Sequence, residues 1–195
     1  YVHKNKDIYC NIAIIRRAFM QFVKEEGDND RLLIHYYKDN SKKEAKPITE
    51  MLHHLNLKIP VIIVTINKTE SDDILMFDET QDGLMPLSGT ILKIHNNNYL
   101  LYNNSCYARG DKSDKLFPIR LRLRKMEYGR NSDLSNEEAS EIITQVYQFS
   151  RINWQTVNLQ NLPVTLKYSE MIAKSLPYFE QNALPEFGKK TLWIL

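Results

Sequence analysis

Two cysteines in 195 residues, Cys10 and Cys106, are too few for a disulfide framework and lack the spacing of a metal site. A reducing cytoplasm is the simplest setting for such a chain. No apolar run approaches the ~20 residues of a membrane span, and no signal peptide opens the sequence. Linkers, repeats and low-complexity tracts are also missing, which leaves one domain, or most of one. The formal net charge is only +2, so bulk charge makes no case for nucleic acid and the placement of charge must decide. The chain opens on Tyr1 rather than Met, so an N-terminal part of the domain is expected to be missing from it. What is present is ordinary for a globular protein: 43% apolar and 26% charged residues, in a chain long enough to bury a sizeable core.

Hydrophobic periodicity gives the element order. Ile12, Ile15, Phe19, Phe22 and Val23 recur at helical spacing, with Gly27 where a helix stop belongs. "RLLIHYYK" predicts a strand. "EAKPITEMLHHLNL" predicts a second helix with Ile48, Met51, Leu52 and Leu55 on one face and Pro47 in its first turn. The β-branched run "IPVIIVTIN" predicts a strand covered on both faces. "DDILMFD" and "GTILKIHNNNYLLYNN" predict antiparallel strands, the latter with a hairpin turn at "NNN". "FPIRLRLRK" predicts another strand. Ser135 and Glu138 form a capping-box pattern ahead of a helix bearing Ile142, Val146 and Phe149 on one stripe. A last helix is expected from about Pro163, with Tyr168, Met171, Ile172 and Phe179 on its buried side. This order predicts an α/β domain with a mixed sheet flanked by helices.

Charge placement is more informative than net charge. Along residues 118–125, period-two alternation sends Ile119, Leu121 and Leu123 to one face and Arg120, Arg122 and Arg124 to the other. Lys112, Lys115, Lys125 and Arg130 flank them. Such a stripe can track a phosphate backbone, since each guanidinium offers bidentate donors. The bland alternative is a solvated face neutralised by Glu137, Glu138 and Glu141. The second pointer is the polar loop between Arg151 and Pro163. Thr165 and Lys167 fall near the start of the next helix, where free N–H groups and the helix dipole favour an anion. A lysine there opposes the dipole unless an anion is bound. Its bland alternative is a surface lysine in mild conflict.

The order of motifs resembles the C-terminal part of the PIWI domain of Argonaute proteins. The resemblance covers nearly the whole chain: "RRAFMQFVKEEG", "LLIHYYKDNSKKE", "IPVIIVTINKT", "MPLSGTILKIHNNNYLLYNN", "FPIRLRLR", "SRINW" and "LPVTLKYSEMIA". The last of these is the most specific. "HYYK" and "PVTLKY" are most similar to the short prokaryotic type. The resemblance implies an RNase H-like PIWI fold over residues 1–195, a C-terminal portion of that domain, holding a guide strand and its complementary target.

The resemblance also assigns residues. Slicing members use three acids and a fourth acid or His to bind two divalent ions. Their first two acids are expected before Tyr1 or on a loop outside this chain. The third falls on Lys38 or Asp39, with Lys38 the better match, and a cation there would repel the ions. The fourth falls on Glu170. Lys38, Asp39 and Glu170 are therefore read as vestigial positions of an inactive site, with Asp39 as a turn residue. Arg151, Thr165, Lys167 and Tyr168 match positions that meet guide phosphates in the seed region; the Arg120, Arg122 and Arg124 stripe stands beside them as a nucleic-acid-binding candidate from charge placement alone. Asn67, Lys68 and the run Ser88-Gly89-Thr90 lie where the family approaches the nucleic-acid channel. The Leu195 carboxylate, closing the apolar tail "TLWIL", is expected to help ligate Mg2+ at the guide 5′ phosphate.

Three functions are open at this point. The first is a guide-dependent binder of target DNA that does not cut, in a cytoplasmic antiviral defence system of prokaryotic immunity. There it would be coupled to an effector carrying a PAZ-analogue module and a TIR-like or sirtuin-like NADase domain, with possible oligomerisation on activation. No Gly-rich dinucleotide motif lets this chain consume NAD itself. The second is an active two-metal endonuclease using Asp39 and Glu170 with acids outside the chain. The third is an interaction domain that binds no nucleic acid.

Overall fold

The computed structural model describes residues 16–17, 20–21, 30–37, 50, 53–54, 59–67, 74–81, 84, 86–103, 118–127, 130–152 and 162–179. Six strands form one sheet: β1 (Leu32–Tyr37), β2 (Val61–Asn67), β3 (Thr90–His95), β4 (Asn98–Tyr102), β5 (Ile119–Glu127) and β6 (Arg130–Ser132). Their order is β1-β2-β5-β4-β3, with β6 paired to β5. Two helices follow, α1 (Asn136–Phe149) and α2 (Val164–Ser175), and a 3₁₀ turn, Leu176–Tyr178, closes α2. Arg16, Arg17, Met20 and Gln21 are helical and exposed, as are Glu50, His53 and His54. These are the outer faces of the two helices expected upstream; the apolar residues assigned to their inner faces lie outside the described residues.

The chain clusters into two compact units, residues 1–65 with 123–134 and residues 66–122 with 135–195. The first contains β1, β2 up to Thr65, β5 from Leu123, and β6. Within it, β5 and β6 are antiparallel, with Met126 opposite Asn131. The second contains β3, β4, the start of β5 and both helices. Within it, β4 pairs antiparallel with β3 on one side and β5 on the other.

Burial explains the sheet order. All seven residues of β2 are buried, as an uninterrupted β-branched run requires of an inner strand. β5 alternates as its sequence dictates, with Ile119, Leu121 and Leu123 at 2% exposure or less and the arginines between them half-buried. Tyr99 to Tyr102 of β4 are buried too, and α1 adds Ala139, Ile142, Ile143 and Val146 to the core of the second unit. β3, at the end of the strand order, is exposed along nearly its whole length. The β3–β4 turn falls on Asn96 and Asn97, and Asn96 adopts φ 45°, a conformation that asparagine tolerates better than most residues.

α1 begins with the expected capping box: the Glu138 N–H donates to Ser135 Oγ, and the Ser135 N–H donates to Glu138 Oε2, each at 3.1 Å. α2 begins just after Pro163, whose carbonyl accepts the N–H groups of Leu166 and Lys167. Two expectations need correction. Residues 74–78 form no strand; Asp78 instead accepts both the N–H and the hydroxyl of Thr80 and turns the chain, which is local chemistry that competes with a ladder. On α2, Tyr168, Met171 and Ile172 are only half-buried, as is Phe179, which lies beyond the 3₁₀ turn; Val164 alone of this helix is buried.

Candidate nucleic-acid interface

Arg151, in the second unit, is held from several sides. α1 ends where Ser150 caps it by donating its N–H to the Val146 and Tyr147 carbonyls, and the Arg151 N–H then closes onto Gln148 O at 2.9 Å. This last turn throws the Arg151 side chain back along the helix, toward the residue four positions earlier. Its guanidinium lies over the Tyr147 ring, 4.9 Å from the centroid. Nη2 donates to Ser88 Oγ and, at 3.1 Å, to the carbonyl of Asn103 at the end of β4. Nε is buried without a hydrogen bond.

The turn that supplies Ser88 is itself held. Gly89 N–H donates to Tyr102 O at 2.7 Å, and Thr90 donates its N–H and hydroxyl to Leu87 O. Gly89 has φ +96°, and a Cβ there would lie 3.4 Å from Tyr147 Cζ. The backbone is what calls for glycine here, since the ring lies at ordinary contact distance from where a Cβ would stand. The Tyr147 hydroxyl reaches Ser88 Oγ at 3.4 Å.

The α2 cations are arranged differently. Lys167 Nζ lies 3.6 Å from Glu170 Oε2, and Lys174 Nζ lies 2.6 Å from Glu170 Oε1. The hydrogen bond from Lys174, then the charge of Lys167, hold the Glu170 carboxyl below its ordinary range. Thr165 is exposed in the first turn, and its carbonyl accepts the Ser169 hydroxyl at 2.8 Å. Tyr168 is half-buried beside it.

The β5 arginines are half-buried rather than spread on an open face. Arg122 lies opposite Asn98, and its Nε donates to Asn98 Oδ1 at 3.1 Å. Arg120 lies opposite Leu100. Both belong to the second unit, whereas Arg124 belongs to the first. Asn67, at the end of β2, is buried at 7% exposure and has little side-chain surface to offer a ligand. Lys38, Asp39, Lys68 and Leu195 lie outside the described residues, so the vestigial metal position and the carboxylate expected at Mg2+ are not located. Among the described residues, no three His, Cys, Asp or Glu side chains converge as a metal site.

The structure thus joins Arg151 to Ser88, which the sequence reading held apart, and adds Tyr147 and Asn103, which it missed. Tyr147 had a detectable signal, an aromatic four residues before an arginine at a helix end. Asn103 acts through its backbone carbonyl, which carries no side-chain signature.

Comparison with known proteins fits this geometry into a family of folds. The Argonaute of Marinitoga piezophila, solved with a 5′-OH guide RNA, superposes with a TM-score of 0.56 at 15% identity, over 85% of this chain and 23% of that one. The fold is that of the Argonaute PIWI domain. The Argonaute of Methanocaldococcus jannaschii, solved with guide DNA, gives a TM-score of 0.52 at 12% identity, over 87% of this chain and 22% of that one. In sequence, a Piwi protein of Archaeoglobus fulgidus is 24% identical over 173 residues, covering 83% of this chain and 40% of that protein. The chain therefore spans less than half the length of this relative. No protein-family model matches. The PIWI resemblance read from the motifs is upheld, and the mixed sheet with its flanking helices is the RNase H-like architecture it implied.

Proposed function

We propose that the chain is the part of a guide-dependent nucleic-acid binder that grips strand phosphates, in a protein that recognises a complementary target without cutting it. The observation that carries this reading is the braced guanidinium of Arg151, a charged donor fixed by a serine, a backbone carbonyl and an aromatic ring. Phosphate contacts of this kind position a strand while base pairing reads its sequence. The PIWI fold supports the same reading, because the Argonautes that share it include one solved with guide RNA and one with guide DNA.

The lack of cutting is supported by Glu170. Its carboxylate is engaged by two lysines of its own helix, an arrangement suited to a helix surface rather than to a divalent ion. Lys38, which aligns better than Asp39 with the third acidic position, argues the same way. No helix among the described residues is long and apolar enough to cross a membrane. A cytoplasmic defence role fits the short prokaryotic wording of "HYYK" and "PVTLKY", with an effector partner that carries a PAZ-analogue module and a TIR-like or sirtuin-like NADase domain. Mg2+ at the guide 5′ phosphate would be held in part by the Leu195 carboxylate, and no step of this reading runs through it.

The test combines the full-length protein, its natural partner, a 5′-phosphorylated guide, a matching target and Mg2+ in one tube. Target length on a gel and NAD concentration are followed together. An intact target with NAD loss that needs both strands is the expected result. A shortened target would establish the two-metal nuclease instead, and an intact target without NAD loss would remove the effector from the reading.

A further inference from the structure

We infer that Ser88, Gly89 and Tyr147 are positioning residues that wire Arg151 so that a single guanidinium nitrogen, Nη1, is presented to one phosphate oxygen of a bound strand. This rests on the nucleic-acid reading proposed above and specifies how its central contact is built. An arginine that meets a carboxylate or phosphate freely uses two nitrogens as a fork. Here the fork is already spent. Nη2 is committed to Ser88 Oγ and to Asn103 O, and Nε is buried beyond the reach of a ligand. One face of the guanidinium is covered by Tyr147. Among the described residues Nη1 alone has no hydrogen-bond partner and is not buried, so it is the donor left for an anion.

The wiring comes from three separate parts of the second unit: the turn at residues 87–90, the end of β4 and the last turn of α1. Gly89 is what lets the turn take this path, since its φ of +96° lies where other residues are strained. Ordering the side chain in advance removes an entropy cost from binding. A single fixed donor also sets where along the strand one phosphate must sit, and so fixes the register of its neighbours.

The test is a double-mutant cycle on the full-length protein, read by equilibrium binding of a 5′-phosphorylated single-stranded RNA and of the same sequence as DNA. Arg151→Ala is expected to weaken binding about tenfold or more, as loss of a charged hydrogen bond does. Arg151→Lys should weaken it almost as much, because an ammonium cannot reproduce the contacts to Ser88, Asn103 and Tyr147 together. Ser88→Ala and Tyr147→Leu should each cost roughly threefold to tenfold, and Tyr147→Phe little, since the ring remains. In the Arg151→Ala background, Ser88→Ala and Tyr147→Leu should have no further effect. Full additivity in that background, or wild-type binding by Arg151→Lys, would overturn the positioning role while leaving the phosphate contact standing. Unchanged binding by Arg151→Ala would remove the contact itself.

Discussion

Arg151 and Lys167 are both cations of the second unit, and the PIWI resemblance leads to the expectation that both meet guide phosphates, yet the fold treats them in opposite ways. Arg151 is fixed by three neighbours, none of them acidic, so among the described residues its charge is positioned without being neutralised. Lys167 shares Glu170 with Lys174 on the surface of α2, so part of its charge is answered by its own helix. The contrast separates two ways of holding a cation for a phosphate. A neutral cradle leaves the full charge for the ligand, whereas an acidic neighbour competes with it.

The comparison can be broken or sharpened experimentally, and acid would break it most severely. His35 of β1 has its pKa lowered to about 4 by burial, against an ordinary value near 6.5. The unfolded chain therefore takes up a proton as pH falls through 6.5 while the folded chain does not, and stability is lost between pH 6.5 and 4. The loss from this group is up to about 3 kcal/mol, from a shift of roughly 2.5 units at 1.36 kcal/mol each. Urea titrations across that window should show it, and His35→Phe should flatten it. Binding by the two cations is thus best compared at or above pH 7.

Arg151→Ala, expected to cost about 1.5–3 kcal/mol of strand binding, should also reduce the slope of log affinity against log salt by about one phosphate contact. Gly89→Ala strikes the cradle from the other side. A φ of +96° should make the new side chain destabilise the fold by about 1–2 kcal/mol in thermal melts, and weaken strand binding with it. The smallest effect is the most diagnostic. Glu170→Gln should strengthen strand binding by no more than about threefold, because exposed ion pairs are worth a few tenths of a kcal/mol to about 1 kcal/mol. If Glu170 ligated a catalytic ion, the same substitution would instead abolish cutting of the target.

Much of this fold was legible because its signals are local. The run from Val61 to Asn67 announced an inner strand, the Arg–Leu alternation of β5 announced its two faces, and Ser135 with Glu138 announced the start of α1. Residues 74–78 misled because their apolar pattern is strand-like, while Asp78 spends its carboxylate on Thr80. The burial of Asn67 and the half-burial of the β5 arginines depend on which strands lie beside them, and periodicity does not encode that. For the candidate site, the lysines flanking Glu170 at three and four residues were visible in the sequence, whereas Ser88 and Arg151 are 63 positions apart. Nothing in a linear pattern brings such a pair together; the closing of β4 against the turn before β3 does.

The outer position of β3 has a consequence for the behaviour of the protein in solution. Ile91, Leu92 and Ile94 are each more than a third exposed on a strand at the end of the sheet order, the combination from which intermolecular sheets grow. Two features oppose that growth. The pairing with β4 slips between Lys93 and His95, which breaks the straight edge a second molecule would need, and Lys93, tethered to Asn136 at 2.8 Å, keeps a charge along it. Among the described residues, one irregularity and one lysine thus guard this edge, and salt concentrated enough to screen that lysine is expected to favour association through it.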